Sequence, residues 1–288
     1  MIVSGKEVLG RANRQNYAVG AFNVSNMEQV QAVIAAAEQK KASVFIQISE
    51  AAINYAGLYC LTSLVLNLAE RSFVPVVFHL DHGTSYDAII QCIRCGLTSV
   101  MIDASAFPFA ENVKMTQDVV KVAHACGVAV EAMLGAFSVP LAAESNGNSG
   151  EPDSSVGEYA DPAGAAQFVS ETGVDALAIT MGNKGNEHAQ EPSLFFQKLK
   201  EIKEKIKIPL VLHGASGVSD ADLRSAVVHG VNKVNMDTEL QQACFDGCRG
   251  VLRPGGEGIW DVRKLFGAAR SRMTEVVKEK IGVLGTGA

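Results

Sequence analysis

Short continuous apolar runs alternate along this chain with longer stretches whose apolar residues recur at helical spacing. The runs are Ala18–Phe22, Val44–Ile48, Val76–Leu80, Ser99–Ile102, Ala129–Met133, Ala176–Thr180, Leu210–Leu212 and Lys233–Asn235. Between them, Met27 to Ala37 and Val113 to Ala125 carry the three-to-four-residue apolar period of an amphipathic helix. Apolar strands joined by helical crossovers predict a parallel sheet buried on both faces, because the helices must cover it. Eight such units close into a (β/α)8 barrel, here a single α/β domain over 1–288 with a C-terminal helical extension. The rival, an open doubly wound sheet, is marked by G-x-G-x-x-G after its first strand. Asn23-Val24-Ser25-Asn26 stands there instead.

One segment breaks the rhythm. Ala142 to Ser155 is small and polar and cannot build a core, so the stretch 136–158 is expected to be a flexible loop on the catalytic face. An active-site lid and a plain insertion both fit that composition.

The 288 residues are 48% hydrophobic and 19% charged, the profile of a folded globular protein. A formal charge of -6 without a long basic run argues against a nucleic-acid or anionic-membrane partner. Lys6, Glu7, Arg11 and Arg14 interrupt the first twenty residues, and no apolar run reaches membrane-spanning length, so a cytoplasmic location is expected. Six cysteines are too few for a disulfide framework. Cys92 and Cys95 form a CxxC, but it falls within a helical stretch and no second pair completes a zinc site, so both read as helix cysteines.

In a barrel the chemistry sits where strands end and the following loops begin. Asn23, Ser49, Glu50, Asp81, His82, Asp103, Asn183, Lys184, His213, Asn235 and Asp237 stand at such ends, with Glu131 inside strand five. Imidazoles and carboxylates converging on one mouth suit a divalent metal or acid/base chemistry, with Asp103 and Glu131 candidates for a secondary metal contact. His79, His124 and His229 read as structural. After strand seven, His213-Gly214-Ala215-Ser216-Gly217 leads to Ser219, a good helix N-cap, and exposed N–H groups there would bind an anion beside Asn235-Met236-Asp237-Thr238.

These residues resemble the class II fructose-bisphosphate and tagatose-bisphosphate aldolases. The matching stretches are Ala21–Val24, His79–Gly83, Val100–Ser105, Pro108–Val113, Pro209–Ser216 and Asn232–Glu239. The resemblance implies an oligomeric barrel, a homodimer or homotetramer, that reversibly cleaves a phosphorylated ketose into dihydroxyacetone phosphate and an aldehyde through a metal-stabilised enediolate. It assigns Asp81 to proton transfer and His82 and His213 to Zn2+ or another divalent metal. Asn23, Ser49, Gly214, Ser216, Asn235, Asp237 and Thr238 become contacts to the phosphorylated sugar.

Two departures stand at metal-facing positions. The family's third histidine position, in Gly-x-x-His-Gly-x-Tyr-Lys-x-Glu-Pro, is occupied by Gly185 within Gly182–Pro192, and the second carboxylate of Val-Glu-Ala-Glu-Leu-Gly is replaced by Met133. Three readings follow. His188 supplies the third ligand; or Lys184 forms a Schiff base and the enzyme is a metal-independent aldolase or transaldolase; or the chain is a non-catalytic aldolase-like subunit.

Overall fold

The computed structural model describes residues 1–134, 162–180, 192–252 and 261–286. Eight parallel strands pair in sequence order and close on themselves: β1 (Val19–Asn23), β2 (Val44–Ser49), β3 (Val76–Gly83), β4 (Ser99–Ile102), β5 (Ala129–Met133), β6 (Ala176–Thr180), β7 (Leu210–His213) and β8 (Val231–Met236). This is the predicted barrel, although β3 and β8 run further than their apolar cores. The expected loop at 136–158 lies outside the described residues.

Helices between the strands cover the outside: α2 (Met27–Lys40), α3 (Glu50–Ala56), α4 (Leu58–Glu70), α5 (Tyr86–Arg94), α6 (Phe109–Ala125), α7 (Pro162–Thr172), α8 (Pro192–Lys205), α9 (Asp220–Val228) and α10 (Thr238–Val251). Local chemistry fixes several of their starts. Asn26, Ser49, Ser85 and Ser219 each accept a backbone N–H at the first turn, which satisfies a donor the helix cannot. Cys92 is buried on α5 and Cys95 half-buried at its end, as the sequence suggests. The extension is α11 (Val262–Leu284), which packs against α10 and α2. No single described helix is long and apolar enough to cross a membrane.

The strand pleat divides the apolar residues into two clusters. Outward side chains such as Ile46, Phe78, Leu80, Val100 and Leu212 meet the helices. Inward ones, including Val19, Ala21, Phe45, Val77, Met101 and Val211, form a second core with Val8, Leu9 and Ala12. Those last three belong to α1 (Gly5–Gln15), a helix before the first strand whose buried face closes the N-terminal end of the barrel. Above this apolar floor the inward positions turn polar: Gln47, His79, Ser99, Glu131 and Lys233 are all buried.

One irregularity decides how the mouth is furnished. Leu80 pairs with Val100, but Gly83 pairs with Ile102, so β3 carries one extra residue there. His82 takes up the bulge at φ 48, a left-handed conformation uncommon outside glycine. Regular alternation would send Asp81 inward and His82 outward; the bulge lets neighbouring residues serve the same site. Gly83 is required behind it. A Cβ there would lie 2.7 Å from the Met101 carbonyl oxygen and 2.7 Å from Ile89 Cγ1. Gly83→Ala is therefore expected to destabilise the fold by about 1–3 kcal/mol, the usual range for forced overpacking, read as a lower urea midpoint with an unchanged slope.

Candidate active site

At the C-terminal mouth, β3 contributes Asp81 and His82, β7 His213, β8 Asn235 and β1 Asn23. One ligand atom from each of Asp81, His82 and His213 lies within 4.8 Å of the others. Each group is held from behind by a second group. Asp103 Oδ2 is 2.6 Å from His82 Nδ1, and Asp103 is itself bonded by the Ser105 hydroxyl at 2.7 Å. Glu131 Oε1 is 2.7 Å from His213 Nε2.

A carboxylate beside a neutral imidazole nitrogen requires N–H on that nitrogen. His82 therefore presents the lone pair of Nε2, and His213 that of Nδ1. These two atoms are 3.1 Å apart. Two lone pairs cannot face each other at that distance without a proton or a cation to share, and Asp81 adds a negative charge. The donor set thus fits a divalent cation, with carboxylate-oriented histidines of the kind metal sites use. In the protonated alternative His82 carries the charge. Burial opposes that form, but the Asp103 hydrogen bond and the Asp81 and Asp103 charges outweigh burial and raise its pKa.

Asp81 is buried between two amides. Asn23 Nδ2 donates to Oδ2 at 2.8 Å and Asn235 Nδ2 to Oδ1 at 3.0 Å, while Gln47 Nε2 holds Asn23 Oδ1 at 2.6 Å. Burial alone would raise the carboxyl; the charges of His82, His213 and Lys233, with the Asn23 hydrogen bond, reverse this and keep it below the usual carboxylate range. Asp81 is thereby held as a buried anion. Asn235 Oδ1 is buried and has no hydrogen-bond partner among the described residues.

Asp103 and Glu131 do not join the ligand group. Each is bonded instead to an imidazole of that group, Asp103 to His82 and Glu131 to His213. The reason for Glu131 is Lys233, whose Nζ donates to Oε2 at 2.8 Å. With one oxygen on His213 and the other on Lys233, the carboxylate is fully engaged. Burial opposes its charge, yet Lys233 and His213 depress its pKa far below normal. Lys233 also sits 3.4 Å from His79 Nε2, and burial together with the Lys233 charge lowers His79 to about 3. His79 is therefore neutral and bonds Ser99 Oγ through Nδ1 at 2.8 Å. It is structural, as are His124, paired with Asp175, and His229, bonded to Ser225 O. Lys233 is the residue that sequence reasoning missed as a site component. A lysine in the middle of an apolar strand was the available signal.

The other candidates gather nearby. Gly214 and Gly217 have φ 67 and 74 and turn the chain after β7. Ser216 Oγ meets Thr238 Oγ1 at 3.1 Å, joining this turn to the start of α10, and Gly217 N–H donates to Glu239 Oε1 at 3.3 Å. Asp237 precedes α10 and accepts from Gln241 Nε2 at 2.8 Å. Ser49 Oγ accepts Ala52 N–H at 3.2 Å as an N-cap while still facing the mouth. Lys184, Gly185 and His188 lie outside the described residues.

Comparison with known proteins agrees with this geometry. The pattern of the class II fructose-bisphosphate aldolase family matches residues 3–287. The fructose-bisphosphate aldolase of Staphylococcus aureus (strain Mu50 / ATCC 700699) is 40% identical, over 99% of this chain and 98% of its own length. That of Geobacillus stearothermophilus is also 40% identical, over 99% and 97%. The crystal structure of the YdjI aldolase from Escherichia coli K12 superposes with a TM-score of 0.85 at 33% identity, over 99% of this chain and 98% of that one. The chain belongs to the class II fructose-bisphosphate aldolase family, lyases that cleave a phosphorylated ketose.

Proposed function

We propose that the enzyme reversibly cleaves a ketose 1-phosphate into dihydroxyacetone phosphate and an aldehyde, with Asp81 as the proton-transfer residue. The observation that carries this is the pair of carboxylate-oriented imidazoles, His82 and His213, whose facing nitrogens lie 3.1 Å apart beside Asp81. His82 and His213 hold a divalent metal, zinc or a similar ion, and His188 completes the set. When bound, the metal withdraws electron density from the ketone and offsets the negative charge that develops as the carbon–carbon bond breaks.

Asp81 accepts the proton of the hydroxyl on the aldehyde side of the scissile bond. That oxygen becomes the new carbonyl, and the electron pair of the broken bond passes into the ketone-bearing half. In the reverse direction the same carboxyl returns the proton. Asn23 and Asn235 fix the carboxylate so that neither oxygen turns away. The turn Gly214–Gly217 and the first residues of α10, Thr238 included, supply N–H and hydroxyl donors for the phosphate of the ketone half. Small phosphorylated sugars are accordingly the substrates, with no nucleic-acid or membrane partner. Location in the cytoplasm and assembly as a homodimer or homotetramer belong to the same reading; the exposed Tyr59 and Phe73 on and beyond α4 support the assembly.

Asp81→Asn should retain the circular dichroism spectrum and lose at least about a hundredfold in turnover, the usual weight of a positioned acid/base group. Purified protein should contain about one divalent ion per chain by elemental analysis, the stoichiometry of a single catalytic site. His82→Ala/His213→Ala should contain none, and chelation should abolish cleavage. Turnover that survives chelation, with a borohydride-trapped adduct lost in Lys184→Met, would instead select the Schiff-base reading.

Lys233→Met tests the support behind His213. Leaving the Glu131 charge buried and unpaired should cost about 3–5 kcal/mol in unfolding free energy. Metal retention, measured by competition with a chelator, should weaken about 10- to 100-fold as His213 loses its fixed orientation.

A further inference from the structure

A cavity of about 750 Å3 opens at the N-terminal end of the barrel, the length of a strand away from the catalytic mouth. Its walls come from the last turns of α1, the segment joining α2 to β2, the second half of α9 and the end of α11. It shares no residue with the catalytic cluster or with the turns assigned to phosphate. The volume lies well inside the usual range for ligand sites, roughly 300–1,000 Å3.

Three cations line it, each from a different element: Arg11 on α1, Lys41 after α2 and Arg224 on α9. The whole chain carries a formal charge of -6, so this concentration of positive charge runs against the average. Nearby surface cations are paired, Lys278 with Glu275 and Lys280 with Asp220. Arg11, Lys41 and Arg224 form no ion pair among the described residues. Arg11 Nε donates to Gln15 Oε1 at 3.3 Å, a neutral partner that orients the guanidinium without cancelling its charge.

Cations near helix C-termini commonly answer the last carbonyls. Here the backbone already does so. Asn16 N–H donates to Ala12 O, Lys41 N–H to Ala37 O and Glu38 O, and Ala18 N–H to Leu284 O at 3.1 Å. Arg224 stands at the middle of α9 and not in its last turn. The hydrogen-bonding capacity of the three side chains is therefore directed at the cavity.

Between the cations the wall is apolar and aromatic. Val227, Val228 and Val283 line it together with the half-buried Tyr17. Burial raises the pKa of the Tyr17 phenol against the opposing charges of Arg11 and Arg14, so both guanidiniums act on this ring at close range. An arginine fork engages phosphate oxygens in pairs and stacks on flat rings. A small inorganic anion would satisfy the cations but leave the valines and the tyrosine facing water.

We propose that this cavity binds a nucleotide, with its di- or triphosphate held by Arg11, Lys41 and Arg224 and its base set against Tyr17 and the valines. The bound molecule would tie the helix that plugs the barrel to the ends of α2, α9 and α11. The assignment is independent of the aldolase reading.

Equilibrium dialysis of the metal-containing enzyme against radiolabelled ADP should show about one nucleotide bound per chain, the stoichiometry of a single cavity. In Lys41→Asn/Arg224→Gln the affinity should fall at least about tenfold, the scale of one lost charge-assisted contact. Both positions are exposed, and asparagine suits the left-handed backbone of residue 41 at φ 54, so the circular dichroism spectrum and the cleavage rate should not change. Arg224→Lys, which keeps the charge, should lose less than Arg224→Gln. Inorganic pyrophosphate should bind at least about tenfold more weakly than ADP, because it lacks a base to stack. ADP binding that the double variant does not weaken is binding at the mouth and overturns the proposal. Pyrophosphate binding as tight as that of ADP overturns the nucleotide assignment, and so does the absence of binding at millimolar ADP.

Discussion

The ion pair between Glu131 and Lys233 is the interaction on which the mouth of this barrel depends. Both groups are essentially inaccessible, and they reach across the barrel from β5 to β8 with Nζ and Oε2 at 2.8 Å. Burying either charge alone would be prohibitive. Burying both is tolerable because Glu131 spends its second oxygen on His213 and Lys233 finds His79 and the ring of Phe45, 5.3 Å from Nζ to its centroid. The pair thereby transmits its rigidity upward. His213 cannot rotate without breaking a charge-assisted bond, and its Nδ1 stays directed at the site. A buried ion pair rarely adds net stability over an apolar substitute. Its value here is orientation, and the apolar floor formed by α1 and the lower inward residues stabilises the barrel that holds it.

The same logic explains why Asp81 and His82 work from adjacent positions. A strand offers one inward side chain every second residue, yet both groups are needed at one mouth. The bulge at His82 resolves this, at a local cost of order 1–3 kcal/mol for a non-glycine residue at positive φ. The compensation is visible. Asp103 N–H donates to Gly83 O at 2.9 Å and the Asp103 carboxylate holds the His82 ring at 2.6 Å, so backbone and side chain of one residue pin both ends of the bulge.

Much of this was legible in the sequence because hydrophobic burial is a local signal. A strand covered on both faces must be apolar over several residues, so all eight strands stand out, and the polar residues that end them mark the mouth. The ends of strands are less legible. Asp81-His82-Gly83 and Val231-Asn232 read as loop because pairing to β4 and β7, not their own propensity, holds them in the sheet. The network behind the site is the least legible part. Glu131 and Lys233 are 102 positions apart, and nothing in either neighbourhood announces the other. Hence Glu131 looked like a metal-facing carboxylate, and Lys233 like one more strand residue. The plug formed by α1 escaped for a related reason: its buried face, Val8, Leu9 and Ala12, has meaning only once the barrel it closes exists.

The departures from the family pattern acquire a physical sense from this arrangement. Met133 replaces a carboxylate at an inward position of β5 and is itself buried in the inner core beside Ala178 and Val211. A second acid there would add a buried negative charge one strand period above Glu131. Lys233 already neutralises Glu131, and with two oxygens engaged the pair is complete in itself. Removing that carboxylate therefore leaves no orphaned cation and no unpaired donor in its wake. The bond from Glu131 that orients His213 is untouched by the change. The cluster of Asp81, His82 and His213 is thus insulated from the replacement at the rim.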